Sequence, residues 1–108
     1  MTASPAPTVL AVVMAYNRRD PLRRCLDAIR HQSQPPTGVL VLDNGSTDGT
    51  SEMLAREFPN VRVHQTGENS GSAGAIREAL RVALEAAPDY IWFFDDDVVP
   101  YPACLETL

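Results

Sequence analysis

The stretch VLVLDNGSTDGT, at residues 39–50, decides the fold because an apolar run gives way abruptly to polar, turn-forming residues. Its first four residues are valine and leucine, which is typical of a strand buried on both faces, as in a parallel sheet. Asp43 follows directly, and the pair Asn44 and Gly45 favours a tight turn. The stretch therefore predicts a buried strand, a polar turn and the start of a helix near Thr50.

The same succession of strand, polar turn and helix recurs on both sides of this stretch. Residues 9–14 and 90–94 are further apolar runs that predict buried strands, and Val61 with Val63 predicts a shorter one. Three helical patterns lie between the four strands. The third has five apolar residues that we expect on one buried face: Ile76, Leu80, Ala83, Leu84 and Ala87.

Capping residues and prolines mark the helix boundaries. Asp20 followed by Pro21 predicts an N-cap and the first helical position of helix one, and Asp48 is a candidate cap for helix two. The residues from Pro100 onward have the pattern of a further helix that is just starting. We expect residues 1–7 to form a flexible tail and residues 8–108 to form one folded unit, the N-terminal part of a longer protein.

The order βαβαβαβ predicts the fold class α/β: a Rossmann-like parallel sheet with helices on both faces. Right-handed crossovers then give the strand order 3-2-1-4. Ligands of such sheets bind at the carboxyl ends of the strands. Polar clusters follow all four strands, at residues 16–18, 43–46, 69–74 and 95–97, so we expect them on one edge.

Composition excludes several classes of protein. The net charge of −5 over 108 residues offers no basic face for a nucleic acid. Two distant cysteines, Cys25 and Cys104, indicate neither a disulfide scaffold nor a zinc site, so we expect free thiols and a cytoplasmic location, with attachment to the inner face of the membrane left open. No apolar run is long enough to span a membrane.

Three consecutive carboxylates, Asp95, Asp96 and Asp97, follow the fourth strand and repel one another unless a cation neutralises them. Mg²⁺ and Mn²⁺ prefer such oxygen ligands, and Mg²⁺ commonly combines one or two carboxylates with substrate phosphates. Because side chains alternate along an extended strand end, Asp95 and Asp97 can point one way and Asp96 the other. A solvated acidic turn is the alternative.

The glycine- and alanine-rich residues 69–75 open the third helix, whose N-terminus favours anions. They form neither a dinucleotide fingerprint nor a Walker motif. Small residues that allow close helix–sheet packing explain them equally well. Arg77, one turn into the helix, is either a phosphate contact or a solvated side chain.

Four segments together resemble the inverting glycosyltransferases of family 2, which have the GT-A fold: VVMAYNRRDPLRRCLDAIRHQ, VLVLDNGSTDGT, ENSGSAGAIREAL and YIWFFDDD. The resemblance covers nearly the whole chain from Val9, and the third segment is most similar to the bacterial rhamnosyl- and galactofuranosyl-transferases, enzymes of cell-wall polysaccharide synthesis. It implies that this part of the chain binds a nucleotide-diphosphate sugar, linked to UDP or dTDP, for metal-dependent transfer to an acceptor hydroxyl with inversion.

The resemblance also implies roles for individual residues. Tyr16 would lie against the face of the base, Asp43 would hydrogen-bond the base or ribose, and Asp97 would bind Mn²⁺ or Mg²⁺. The implied nucleotide-sugar-binding residues are Ala15, Tyr16, Asp43, Asn69, Gly71, Arg77, Asp95 and Asp96, and the implied metal ligands are Asp97 and Asp95. The catalytic base and most of the site for a glycan or lipid-linked acceptor would lie beyond residue 108.

Three other functions stay open at this point. A nucleotidyltransferase shares the alternating layout, but that class usually has a glycine-rich, basic loop after strand one, where this chain has AYNRRD. A phosphoacceptor signalling domain needs acids after strand one. A non-catalytic nucleotide-sugar-binding module would keep the same pocket. The sequence does not determine the oligomeric state.

Overall fold

Four parallel strands alternate with three helices in the computed structural model, which describes residues 7–108. The elements are β1 (Val9–Ala15), α1 (Arg19–Arg30), β2 (Gly38–Asp43), α2 (Thr50–Glu57), β3 (Arg62–Gln65), α3 (Gly71–Glu85) and β4 (Tyr90–Asp95). The predicted tail at residues 1–7 lies, except for Pro7, outside the described residues. The predicted α/β fold class is confirmed.

The sheet has the predicted order β3-β2-β1-β4, and all three strand pairs are parallel. Its register aligns the strand ends: Ala15 pairs with Asp43, Met14 with Asp95, and Asp43 with Gln65. All four strands therefore end at one edge, which we call the carboxyl edge. The third strand begins one residue later than Val61, the first residue that the sequence placed in it.

Each face of the sheet has its own apolar core. Helices α1 and α2 cover one face with large side chains, including Leu22, Ile29 and Leu54, all nearly inaccessible to solvent. Helix α3 covers the other face, where Val12, Leu40 and Leu42 of the strands meet its small residues. Burial of both faces explains why β1 and β2 are continuously apolar.

The buried face of α3 differs from the predicted one. Its buried residues are Ala75, Ala79, Val82 and Ala83. Of the five residues predicted on the buried face, only Ala83 is buried. Ile76 and Leu84 are 45% and 65% exposed, and Leu80 and Ala87 are exposed as well. Alanines allow the helix backbone to approach the sheet closely, so the larger residues of α3 lie on the flank of the helix.

The predicted N-cap of α1 was also wrong. The helix begins at Arg19, and Asp20 lies inside its first turn, where it pairs with Arg19 and Arg23. The Arg19 backbone N–H instead donates to Asp48 Oδ2 at 2.9 Å, while Asp48 Oδ1 accepts from the Thr50 backbone N–H at 3.2 Å. One carboxylate therefore satisfies the first turns of both α1 and α2.

The C-terminal segment folds back onto the end of α1. The predicted helix from Pro100 does not form, and one 3₁₀ turn at Leu105–Thr107 stands in its place. Buried Gln32 holds this segment: its Nε2 donates to the Tyr101 carbonyl at 2.6 Å, and its Oε1 accepts from the Leu105 N–H at 3.1 Å.

Cys25 is buried in the middle of α1, as predicted, and Cys104 lies in the terminal segment; both are free thiols. Within residues 7–108, no helix has the length and apolar character needed to cross a membrane.

Candidate functional site

Hydrogen bonds between neutral groups join the loops after β2 and β3. Asn44, which is buried, is their centre: its Oδ1 accepts from the Ser70 N–H at 3.1 Å and from the Thr66 hydroxyl at 3.1 Å, and its Nδ2 donates to Asn69 Oδ1 at 3.1 Å. Gly45, at φ +88°, permits this approach, because a Cβ there would lie 2.7 Å from the Asn69 backbone nitrogen.

The loop after β1 is bonded to the loop after β2 in the same way. The Asn17 N–H donates to Ser46 Oγ at 2.9 Å, and Asn17 Oδ1 accepts from the Thr47 N–H at 2.7 Å. Asp43, the last residue of β2, is buried and accepts from the Ser46 N–H at 3.0 Å. These bonds fix the backbone on both sides of the site.

The aspartates after β4 differ sharply in environment. Asp96 is buried and its Oδ2 accepts from the Tyr16 N–H at 3.0 Å, whereas Asp95 and Asp97 are exposed. Burial raises the pKa of the Asp96 carboxyl above its usual range; the Tyr16 hydrogen bond and the Arg18 charge oppose the rise, and the neighbouring aspartates add to it. The protein therefore holds a carboxylate at this edge against the cost of desolvation.

Arg18 provides the positive charge closest to these aspartates. Its Nη1 lies 3.0 Å from Asp97 Oδ2 and 3.6 Å from Asp96 Oδ1. The Arg18 and Asp97 side chains are 54% and 55% exposed, so this ion pair is solvated and weak.

A cavity of about 360 Å³ opens at the carboxyl edge between β1, β4 and the start of α3. Both apolar and polar side chains line it. The predicted site residues that line it are Ala15, Tyr16, Asp95 and Asp96, and Tyr16 is 43% exposed. The lining consists of Met14, Ala15, Tyr16, Arg18, Asn44, Ser72, Ala75, Ile76, Phe93, Phe94, Asp95 and Asp96.

The remaining predicted site residues lie around this cavity without lining it. Asp43 is buried at the end of β2, next to Asn44. Asn69 Oδ1 accepts from the Gly71 N–H at 2.8 Å. This hydrogen bond is a structural reason for an asparagine just before α3. Arg77 is exposed on α3. Asp97 does not line the cavity, although its ion-pair partner Arg18 does. Their functional roles stay predictions.

The aspartates are compatible with a hard divalent cation but do not form a complete metal cage. Within residues 7–108, no group of three Asp, Glu, His or Cys side chains is arranged to enclose an ion. Mg²⁺ sites commonly need only one or two carboxylates when a diphosphate supplies further oxygens. Asp97 already has a cation, the Arg18 guanidinium, against it. The carboxylate oxygens therefore suit the chemistry of a divalent cation, and metal binding by Asp95 and Asp97 stays a prediction.

Sequence reasoning missed Arg18 and Asn44 as site residues. Asn44 was explained as a turn former, although it connects two loops and lines the cavity. Arg18 is one of two adjacent arginines, and only the fold shows that it reaches the aspartates after β4. The signal for both was their position directly after buried strands.

The chain is an open α/β domain with a cavity, a rim aromatic and carboxylates at the carboxyl edge, where sheets of this class bind their ligands. The family described as "Glycosyl transferase family 2" matches residues 10–108. The chain belongs to this family, and the resemblance inferred from its four segments is confirmed.

Curated relatives agree with this assignment. The chain is 36% identical over 78 residues to the N-acetylglucosaminyl-diphospho-decaprenol L-rhamnosyltransferase of Mycobacterium tuberculosis, covering 72% of this chain and 25% of that protein. It is 32% identical over 92 residues to the galactofuranosyltransferase GlfT1 of Mycolicibacterium smegmatis, covering 85% of this chain and 30% of that one. The chain thus spans roughly a quarter to a third of the length of these relatives.

Solved structures show the same GT-A fold. S. aureus TarS in complex with UDP-GlcNAc matches with a TM-score of 0.79 at 27% identity, covering 93% of this chain and 29% of that one. The mannosyltransferase PcManGT of Pyrobaculum calidifontis, in complex with GDP-Man and Mn²⁺, matches with a TM-score of 0.72 at 29% identity, covering 90% of this chain and 29% of that one.

Proposed function

We propose that residues 8–108 form the donor-binding half of a metal-dependent, inverting glycosyltransferase, whose donor is a nucleotide-diphosphate sugar. The observation that carries this proposal is the cavity at the carboxyl edge, which combines the exposed ring of Tyr16 with Asp95 and Asp96. Family membership and the nucleotide-sugar complexes of structural relatives support it.

The residues of the edge divide into base-binding and phosphate-binding groups. The Tyr16 ring offers a flat apolar surface on which a base can stack, and Ala15 leaves room beside it. Asp43 provides an acceptor for a base N–H or a ribose hydroxyl. Asn69, Gly71 and Arg77 belong to the loop and helix end that would lie along the nucleotide.

Asp97, with Asp95, would hold Mn²⁺ or Mg²⁺ at the other end of the site. When bound, such a cation stabilises the negative charge of the leaving nucleoside diphosphate. Asp96 is fixed by the Tyr16 N–H and supports the ribose side of the donor. Without a cation, the diphosphate would meet three carboxylates, and the like charges would repel each other.

The transfer itself is a single displacement at the anomeric carbon. The acceptor oxygen forms a bond to that carbon while the bond from carbon to diphosphate oxygen breaks, and its electron pair stays on the diphosphate. The acceptor's proton goes to a base that we place beyond residue 108. We therefore expect the 108-residue chain to bind the donor without transferring its sugar to a glycan or lipid-linked acceptor.

The base-binding role of Tyr16 is tested by Tyr16→Ala, with Tyr101→Ala as the control. Tyr101 is 83% exposed and lies outside the cavity. We expect the first variant to weaken UDP binding by about tenfold, since loss of stacking on one base costs about 1–3 kcal/mol, and the second to leave it unchanged. Calorimetry with UDP, dTDP and GDP measures both effects. Equal affinities of the two variants for every nucleotide would contradict the proposed site.

A nucleotidyltransferase is not favoured by any feature of the edge. The structural likeness to 4-diphosphocytidyl-2C-methyl-D-erythritol synthase, at 18% identity, concerns the fold alone. The loop after β1 provides Tyr16, Asn17 and Arg18 and contains no glycine.

A further inference from the structure

Arg18 is held in place by its backbone more firmly than by its side chain. Its carbonyl accepts from the Leu22 N–H at 2.9 Å, which anchors it to the first turn of α1. Asn17, just before it, adopts φ +48° and is hydrogen-bonded to Ser46 and Thr47. The guanidinium projects from this fixed loop toward the aspartates after β4 and also lines the cavity.

Asp97 depends on this guanidinium for neutralisation. Among the described residues, its carboxylate has one charged or hydrogen-bonding partner, Arg18 Nη1 at 3.0 Å. The same nitrogen lies 3.6 Å from Asp96 Oδ1, so it stands between two carboxylates. A cation is already present at the position where the proposed function requires one.

We propose that Arg18 is the counter-cation of the ligand-free site: it occupies Asp97 until a divalent metal arrives together with a diphosphate, which then becomes the partner of the guanidinium. This inference rests on the proposed function. Arg18 then makes the site selective for the metal–diphosphate complex. A free metal ion displaces the guanidinium from Asp97 and gives the guanidinium no new anionic partner, whereas the complex provides the diphosphate.

The magnitudes favour an exchange of this kind. A Mg²⁺ ion binds carboxylate oxygens at about 2.0–2.1 Å, so an ion on Asp97 and the present guanidinium would be adjacent like charges. An exposed ion pair contributes only about 0–1 kcal/mol, so it can be broken by a competing ligand. A phosphate group offers the planar guanidinium two acceptor oxygens, a geometry that arginine matches and lysine does not.

The test compares four forms of the 108-residue chain: wild type, Arg18→Ala, Arg18→Lys and Arg24→Ala. Arg24 is exposed on α1, and no ion pair to it is found in the described part of the chain, so its loss controls for a change of net charge. Calorimetry, with manganese paramagnetic resonance as a second readout, measures the affinity for Mn²⁺ alone, for UDP alone and for UDP at saturating Mn²⁺.

We expect Arg18→Ala to bind Mn²⁺ alone about three- to tenfold more tightly than Arg24→Ala, which corresponds to the strength of the lost ion pair and the lost repulsion. The same variant should bind UDP with Mn²⁺ more weakly than wild type. The factor by which UDP raises Mn²⁺ affinity should therefore fall. Arg18→Lys should resemble wild type for Mn²⁺ alone and Arg18→Ala for UDP with Mn²⁺.

The inference is overturned if Arg18→Ala and Arg24→Ala bind Mn²⁺ alone equally, or if the coupling between UDP and Mn²⁺ is unchanged. In either case, UDP binding by the wild type with Mn²⁺ would leave the proposed function standing. If the wild type and the Arg24→Ala control, both folded by circular dichroism, bind neither ligand, the inference and the proposed function fail together. If Arg18→Ala does not fold, Arg18→Lys takes its place in the comparison. The inference is then overturned if Arg18→Lys binds UDP at saturating Mn²⁺ as tightly as the wild type does.

Discussion

The two halves of the carboxyl edge are built on different physical principles. In the half formed after β2 and β3, the buried Asn44 side chain accepts hydrogen bonds from neutral groups such as the backbone N–H and the hydroxyl of Ser70. The half formed after β1 and β4 contains buried Asp96 as well, but it also has an ion pair between Arg18 and Asp97 whose side chains are more than half exposed. The first half fixes a shape, and the second holds charge that a ligand can reach.

This difference separates stability from function along one edge. A buried hydrogen-bonded group is costly to remove, because its partners are left unsatisfied. An exposed ion pair is cheap to break, because water replaces it. We therefore expect substitutions after β2 mainly to lower the stability of the fold and substitution of exposed Asp97 after β4 mainly to change ligand affinity.

The largest effect should follow from Asn44→Ala. The variant leaves the N–H and the hydroxyl of Ser70 without their acceptor and removes the buried amide itself, and we expect it to lower the free energy of unfolding by about 2–3 kcal/mol. Urea denaturation measures this loss, with exposed Asn60→Ala as the control. A loss as small as that of the control would show that the loops are not held by this side chain.

A smaller effect, about 1 kcal/mol, should follow from Asp48→Ala, because both α1 and α2 lose an acceptor at their first turn. Burial opposes ionisation of Asp48, but hydrogen bonds from Thr50 and Arg19 outweigh it and lower the pKa of this carboxyl. A lowered pKa stabilises the fold above the ordinary value of about 3.9, and this stability is lost as the pH falls below it.

The pH dependence offers its own check on Asp48. In urea denaturation between pH 7 and pH 3, the wild type should lose more stability than Asp48→Asn, which has no carboxylate to protonate. If the free energy of unfolding falls equally in both proteins as the pH is lowered, the assigned role of Asp48 is contradicted.

The smallest effect on stability should follow from Asp97→Ala, at about 0.5 kcal/mol or less, since its ion pair is more than half exposed. Asp27→Ala is a matched control, because the Asp27–Arg30 pair is similarly exposed on α1. Urea denaturation of both variants should give similar values. A loss above about 1.5 kcal/mol for Asp97→Ala alone would mean that this half of the edge is structural.

The fold could be predicted because strands and turns are encoded locally. The apolar runs of β1, β2 and β4 and the polar residues directly after them determined the strand order and the carboxyl edge. The face of α3 could not be predicted in the same way. Its large apolar residues predict burial of Ile76 and Leu84. In the structure, small Ala75 and Ala79 face the sheet instead, because they allow the helix backbone to lie close to it.

Parts of the site were missed for a related reason: they depend on contacts between distant parts of the chain. Asp48 caps α1 across 29 positions, and Arg18 reaches Asp97 across 79. No local pattern identifies either contact. The position of the aspartates at the carboxyl edge could be predicted, because they directly follow an apolar run, and their role in binding stays a prediction. The run itself was expected to be buried, but β4 is an edge strand in which only Phe94 is buried.

The central claim is that the charged half of the edge binds a diphosphate through a divalent cation, and the most direct test is the affinity for UDP with Mn²⁺ and then with a chelator. We predict that chelation weakens binding by at least about tenfold in the wild type, because it restores repulsion between diphosphate and carboxylates. Asp97→Ala should lose this dependence on Mn²⁺, while Asp43→Ala should bind UDP more weakly under both conditions. Equal wild-type affinity with Mn²⁺ and with chelator would contradict the account and leave residues 95–97 as a solvated acidic turn.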